Sequence, residues 1–291
     1  MATLRDIKRR INAVKSTRQI TKAMKMVAAA KLRKAQLRML QMRPYADKMD
    51  ELLKILSLTP ETDIHPLLSV RPRKTIEVVV ITSDRGLCGA FNANILRTAS
   101  GFIKDKRAEG FENISVSVIG KKALDYFKRR NIKIRKSWVG ISGHLTYSNV
   151  QEISDDIINN YLEGVMDEVF LIYNRFKTVM SQEISIFRLL PYSLPDTGHE
   201  VREELLSVFI FEPSQKDIYD QLLPKNIEVQ IYRALLESVA SEEAARMTAM
   251  ENATKNADDM IDNLTLQFNK ARQASITKEL MDIVGGVEAL K

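Results

Sequence analysis

Breakers, cross-links and metal ligands are all scarce in this chain. Cys88 is the single cysteine in 291 residues, which excludes an internal disulfide and makes a reducing compartment the simpler expectation. Wholly apolar runs, such as Val78 to Ile81, stop after a few residues, far short of the roughly 20 that span a bilayer. Direct membrane insertion is therefore not expected, and any work at a membrane would go through a partner. The three histidines, His65, His144 and His199, each sit beside Pro or Gly in loop-like sequence without a helical His or Cys partner. They do not supply the three or four convergent ligands of a metal site. No nucleophile, base and oxyanion arrangement can be assembled either, so neither a catalytic site nor a cofactor is expected.

Glycine and proline are missing altogether from two long segments, Thr3 to Arg43 and Lys225 to Val284. Without a breaker, and rich in Ala, Leu, Glu, Met and Arg, the second segment reads as one helix. At about 1.5 Å per residue it would extend roughly 90 Å, beyond any compact domain. Met247, Met250, Thr254, Ala257, Ile261, Leu264, Phe268, Ala271 and Ser275 alternate spacings of three and four along it, the heptad of a helix wound on a partner. Small and polar residues in that seam predict close approach with modest burial.

The first segment carries its own seam through Leu4, Ile7, Ile11 and Val14, continuing with shifts through Ile20, Met24, Val27, Ala28, Leu32, Ala35, Met39 and Met42. Pro44 predicts an end or a kink, although Tyr45 to Leu58 could carry the helix further. Charge is divided between the ends. Residues 1–43 hold thirteen Lys or Arg against the lone Asp6, whereas the chain from Lys225 onward is net −3, within a total of +7. Antiparallel pairing of the two helices follows from opposite charge and matching seams. The basic first helix is open to three readings: a mitochondrial transit peptide, though it is not Ser-rich; a nucleic-acid arm; or a solvated coiled-coil face.

Between these helices lies a proline-bearing linker from Pro60 to Pro72, then strands alternating with helices. Thr75 to Thr82, Ile114 to Ile119, Ile132 to Val139, Val169 to Tyr173 and Glu183 to Leu189 read as strands. Ala90 to Arg107, Lys121 to Arg130 and Ser148 to Leu162 read as helices. Leu205 to Phe211 would add a last strand, and Glu212-Pro213-Ser214 would open a short helix leading through Pro224 into the long one. Alternation of this kind predicts a largely parallel sheet with helices packed on it. The expected fold is α/β: a long antiparallel coiled coil of N- and C-terminal helices with an inserted Rossmann-like α/β domain. Its expected parts are residues 1–59, a linker 60–74, the α/β domain 75–212 and the C-terminal helix 213–291.

Ser83 to Ala90, between strand and helix, is the most suggestive short motif. Gly86 and Gly89 do not meet dinucleotide spacing, so a tight turn is the reading, with Asp84 capping and Arg85 facing a partner. Gly120-Lys121 only approximates the end of a P-loop, since Ser115 and Lys122 stand where Gly and Ser or Thr belong. Cys88 reads as a structural thiol. Met24, Met26, Met39, Met42, Met247, Met250 and Met260 fill an irregular seam or give a surface that repacks against changing partners, and periodicity leaves both open.

Four separated blocks carry a family resemblance. Residues 20–31 (Ile20 to Lys31), the turn 84–89, residues 244–254 (Ala244 to Thr254) and residues 269–279 (Asn269 to Glu279) resemble, in order and spacing, the γ subunit of F-type ATP synthase. Gly286-Val287 departs from the Gly-Ala often found near that family's end. The resemblance implies a non-catalytic central shaft inside a ring of three α and three β subunits. Its α/β domain would stand on the membrane c-ring beside ε, coupling proton flow to ATP synthesis or hydrolysis. It implies β-subunit contacts at Met24, Lys25, Arg246, Arg272, Gln273, Thr277 and Glu279, and c-ring or ε contacts at Phe209, Phe211 and Glu212. A lone Cys88 lacks the Cys pair of the redox-regulated plant form. The resemblance therefore implies the bacterial type, peripheral on the cytoplasmic face of the inner membrane. The alternatives are a basic coiled-coil nucleic-acid-binding protein and a small-molecule enzyme.

Overall fold

The computed structural model describes residues 3–56, 65–71, 74–111, 113–193 and 215–288. Chain order is α1 (Leu4–Leu56), β1 (Thr75–Ile81), α2 (Phe91–Ala108), β2 (Asn113–Ile119), α3 (Lys121–Arg129), β3 (Ile134–Trp138), α4 (Tyr147–Leu162), β4 (Glu168–Phe176), β5 (Gln182–Leu190) and α5 (Gln215–Glu288). Two compact units result. The smaller joins Met1–Ala29 to Arg246–Lys291, and the larger is Ala30–Ala245. The expected strand at Leu205 to Phe211 and the expected boundaries at 59/60 and 212/213 lie outside the described residues.

In the larger unit five strands form one sheet in the order β3-β2-β1-β4-β5. The first four are parallel, and β5 returns antiparallel to β4. β1 shows why its sequence does not alternate polar and apolar. Ile76, Val78 and Val80 pack with Ile95 and Ala99 of α2 and Phe127 of α3. Val79 and Ile81, pointing the other way, pack with Ile153, Ile157 and Tyr161 of α4 and with buried residues of α1 and α5. A strand covered on both faces takes apolar side chains at nearly every position. The exception is the fully buried Glu77, whose Oε1 accepts from Arg135 Nε at 2.9 Å.

Both prolines expected to punctuate helices lie inside them: Pro44 in α1 and Pro224 in α5. An interior proline costs about 3 kcal/mol through a lost hydrogen bond and a clash. Packing offsets it here. Beyond Pro44, Met49, Leu53 and Leu56 are buried in the sheet core, and each such side chain contributes about 1.5–3 kcal/mol. Beyond Pro224, α5 is buried almost all round from Asn226 to Ala244. The short helix expected ahead of Pro224 is therefore the first part of α5 itself. At the start of α1, Thr3 Oγ1 accepts from the Asp6 amide, and Asp6 Oδ2 accepts from the Thr3 amide and hydroxyl. This reciprocal cap accounts for the lone acid in a basic helix and holds the Asp6 carboxyl below its usual range.

The stretch 65–71 is pinned to α5 through His65. Its Nε2 lies 3.1 Å from Asp220 Oδ1, while its Nδ1 accepts from the Leu67 amide at 3.1 Å. Burial pushes the His65 pKa below 6.5, and the Asp220 carboxylate only partly opposes that shift. A depressed folded-state value means that protons bind the unfolded chain more readily. The contribution is then fully present above the unfolded pKa of 6.5 and lost as pH falls through the lower folded value. We expect the wild-type unfolding midpoint to drop on acidification below that pH, and His65→Gln to remove this part of the profile. A difference curve of midpoint against pH checks it.

Candidate functional site: a filled crevice and a paired-helix surface

Strand order reverses between β1 and β4, and in doubly wound sheets ligands enter the crevice at the carboxyl ends of such a pair. Here that crevice is occupied by the chain itself. Leu235, Ser238, Val239 and Glu242 of α5 lie over Ile81, Thr82 and Ile119, leaving a void of about 10 Å³. That is space for roughly one water molecule. Ser241 Oγ, buried, donates to the Asn174 carbonyl near the end of β4 at 3.0 Å.

The amides that could cradle a phosphate there are also engaged. Asp84 Oδ1 accepts from the backbone amides of Lys121 and Gly140, both at 3.0 Å. Its Oδ2 accepts from the Ser142 amide at 3.3 Å and hydroxyl at 2.9 Å. Asp84 thus caps α3, not the helix that follows it, and ties the ends of β1, β2 and β3 together. A carboxylate at a helix N-terminus also opposes the helix dipole favourably. Ser83 binds Asn92 Oδ1 through its amide, and Asn92 Nδ2 donates to the buried Cys88 sulfur. The turn so fixed leaves Arg85 and Leu87 exposed, with Leu87 at φ 64°.

In the smaller unit α1 and α5 run antiparallel. Arg18 Nε meets Asp258 Oδ1 at 2.5 Å, Thr21 Oγ1 meets Thr254 Oγ1 at 2.8 Å, and Lys25 Nζ meets Glu251 Oε1 at 2.6 Å. These exposed ion pairs set register more than stability. On α5, all nine expected seam positions from Met247 to Ser275 are buried or half-buried. On α1 the phase differs from expectation. Ile20 and Val27 are 60% and 56% exposed, while Thr21 and Ala28 are buried. The true seam keeps strict three-four spacing through Ile7, Ile11, Val14, Arg18, Thr21, Lys25 and Ala28, and its polar members hide it from an apolar search.

The threonine pair permits a test of what the seam contributes. Thr254 Oγ1 also reaches the Met250 carbonyl at 2.7 Å, so each hydroxyl keeps a local acceptor. We expect Thr21→Val alone to destabilise by about 1 kcal/mol, the net worth of one hydrogen bond. Thr254→Val alone should cost about the same and the double change nearly nothing, a coupling of about 2 kcal/mol in a double-mutant cycle read by urea unfolding.

The residues expected to meet β differ in their surroundings. Met24 and Lys25 are half-buried, and the Lys25 ammonium is paired with Glu251. Arg246 is 8% exposed, enclosed by its own chain. Arg272, Gln273, Thr277 and Glu279 are exposed. The register of the cross-helix pairs brings Leu4, where α1 begins, opposite the start of that group, so among the described residues α5 continues beyond it unpaired by α1. Along this stretch Ile276, Leu280, Met281, Ile283 and Val284 are 48–66% exposed. Sequence reasoning misses this apolar group, although its helical spacing is there to be read. Phe209, Phe211 and Glu212 lie outside the described residues.

Comparison with known proteins bears on these surfaces. A model of the ATP synthase family matches residues 3–290. The ATP synthase gamma chain of Geobacter metallireducens is 49% identical over 291 residues, covering all of both chains. That of Anaeromyxobacter sp. strain Fw109-5 is 50% identical over 295 residues, again covering all of both. The chain belongs to the ATP synthase γ-chain family. Among solved structures it is similar to a chain of the Tetrahymena thermophila mitochondrial ATP synthase central stalk and c-ring. Identity is 29% and TM-score 0.59, over 80% of this chain and 99% of that one. A chain of the Euglena gracilis mitochondrial ATP synthase OSCP/F1/c-ring assembly shares the fold at 22% identity and TM-score 0.67, over 99% and 94%. The family's relatives give the nucleic-acid-binding alternative no support. Among the described residues no helix is long and apolar enough to cross a membrane, and no group of acids, His or Cys could hold a metal ion.

Proposed function

We propose that this chain is the central rotor shaft of an F-type ATP synthase. It has no active site of its own and couples proton flow through a membrane c-ring to ATP synthesis or hydrolysis at β. The observation that carries this reading is the unpaired end of α5. Arg272, Gln273, Thr277 and Glu279 lie there exposed beside Ile276, Leu280, Met281, Ile283 and Val284, a mixed surface suited to encircling subunits. The absence of catalysis in this chain is supported by the filled crevice and by Asp84 occupying the amides at α3.

Its partners in this reading are the α and β subunits, as an α3β3 ring, together with ε and the c-ring. Its place is peripheral on the cytoplasmic face of the bacterial inner membrane. Met24 and Lys25 face the moving parts of β, which Arg246 meets only through the 8% of its surface left open by its own chain. The exposed α5 end makes the upper contact, and Phe209, Phe211 and Glu212 meet the c-ring or ε. Residues 1–59 and 213–291 form the shaft, with 75–212 as a foot joined through 60–74. A single asymmetric shaft touches each of three β subunits differently, so their sites differ in affinity at any angle. Rotation shifts the populations of open and closed β, and nucleotide binding must bias the angle in return.

Reconstitution tests the proposal. The purified chain should hydrolyse no ATP alone and should restore coupled ATPase to an α and β preparation depleted of its shaft. Failure to restore it counts against the rotor reading. Met24→Lys would place an ammonium at a β contact, where removing it from water costs several kcal/mol. The expected result is fewer protons pumped per ATP hydrolysed, measured in inverted vesicles; an unchanged ratio removes Met24 from the contact.

A further inference from the structure

A second concave surface of the larger unit is not explained by a rotor. Between α1, the loop joining β3 to α4, and α5 lies a cavity of about 280 Å³. That volume is near the lower end of small-molecule pockets, roughly 300–1,000 Å³. Lys31, Lys34 and Arg38 enter it from α1, spaced three and four apart and so on one helix face. His144 and Gly143 enter from the loop, and Leu145, Leu236 and Val239 form an apolar wall.

The polar groups are not equivalent. Arg38 Nη1 donates to the Leu145 carbonyl at 3.2 Å, which fixes the guanidinium against the wall with further donors unspent. Lys31 Nζ stands 3.8 Å from Glu243 Oε1, the one carboxylate in the lining. The side chains of Lys34 and His144 make no hydrogen bond or ion pair among the described residues, although the His144 amide donates to the Ile141 carbonyl at 3.1 Å. Three cations and an imidazole facing one acid focus positive potential into a concave space with low-dielectric walls. Such a site is complementary to a compact multiply charged anion, and guanidinium with ammonium is the usual donor set for phosphate oxygens. The neighbouring apolar wall suits an uncharged, flat or aliphatic attachment to that anion.

We propose that this cavity binds a diphosphate group, carried by free pyrophosphate or by a nucleotide, with Lys34 and His144 as its contacts and Arg38 as a fixed donor. The proposal does not rest on the rotor reading. A cavity of this kind would let this chain itself sense phosphate-bearing metabolites, separately from the catalytic sites of any partner.

Isothermal titration calorimetry on the full chain at low salt, with pyrophosphate, ADP and adenosine as probes, tests it. We expect saturable binding of pyrophosphate or ADP at one site per chain. Lys34→Ala and His144→Ala should each weaken it, Lys34→Ala by about tenfold, the worth of one charge-assisted hydrogen bond. Both positions are exposed, so folding should survive, as unfolding midpoints would verify. Lys128→Ala on α3, across the sheet from the cavity, removes an equal charge and should leave binding intact. Tighter binding of ADP than of pyrophosphate assigns the site to nucleotides, and equal binding assigns it to the inorganic anion. No saturable binding, equal loss in Lys128→Ala, adenosine binding as tightly as ADP, or equal occupancy by a poly-glutamate peptide would each overturn the proposal.

Discussion

Gly120→Ala is expected to destabilise the larger unit by about 3–5 kcal/mol, a large effect for one methyl group. The residue has φ +100°, and an added Cβ would lie 2.2 Å from the Thr82 carbonyl oxygen and 2.8 Å from its carbon. Left-handed backbone in a non-glycine residue costs about 1–3 kcal/mol, and overpacking about 1–3 more. The clash cannot be relieved by a side-chain rotation, because Thr82 is held on both sides. Its amide donates to the Ile119 carbonyl at 2.8 Å, and its Oγ1 accepts from the Ala123 amide at 3.0 Å. At about 2–4 °C per kcal/mol, the unfolding midpoint should fall by about 6–20 °C in a circular-dichroism melt. Gly101→Ala supplies the contrast. It lies inside α2, where a Cβ would meet nothing within 4 Å, and should stabilise by up to about 1 kcal/mol.

Asp84→Ala should cost about 2–4 kcal/mol, because one carboxylate satisfies three backbone amides and a hydroxyl from two separate loops. Its loss leaves the first amide of α3 without a cap and frees residues 140–142 from the end of β1. Asp84→Asn, with a single acceptor oxygen, should fall between the two. Urea unfolding gives the energies. Amide exchange should show the change concentrated at Lys121, Gly140 and Ser142; protection unchanged there would rule out the hub.

How far the sequence reveals this structure depends on the length scale of each signal. The α5 seam is legible because its nine positions repeat one rule, so a local irregularity such as Thr254 does not hide it. On α1 the same rule runs through Arg18, Thr21 and Lys25, and the apolar residues beside them, Ile20 and Val27, pull an apolar search off phase. Pro44 and Pro224 punctuate helices locally, but burial of Leu53, Leu56 and Ile227 outweighs them, and such tertiary gains are invisible to a local reading. The strands and their parallel arrangement follow from β-branched runs separated by helices. Asp84 and Gly120 do not reveal their roles, since each acts on residues 37 or more positions away in the chain. Gly120-Lys121 looks like a failed phosphate loop; the glycine is there because Thr82 passes too close for a side chain.

The exposed end of α5 can be viewed through helix cooperativity. Starting a helix is the unfavourable step, since several residues must be fixed before one hydrogen bond forms, whereas each added residue then costs little. Residues 226–244, enclosed on nearly every side, have that first step settled by packing. Everything from Arg272 to Glu288 is propagation from that nucleus. Residues 272–281 keep their helical form although nearly all are exposed, which leaves those side chains free to be chosen for what lies outside the chain.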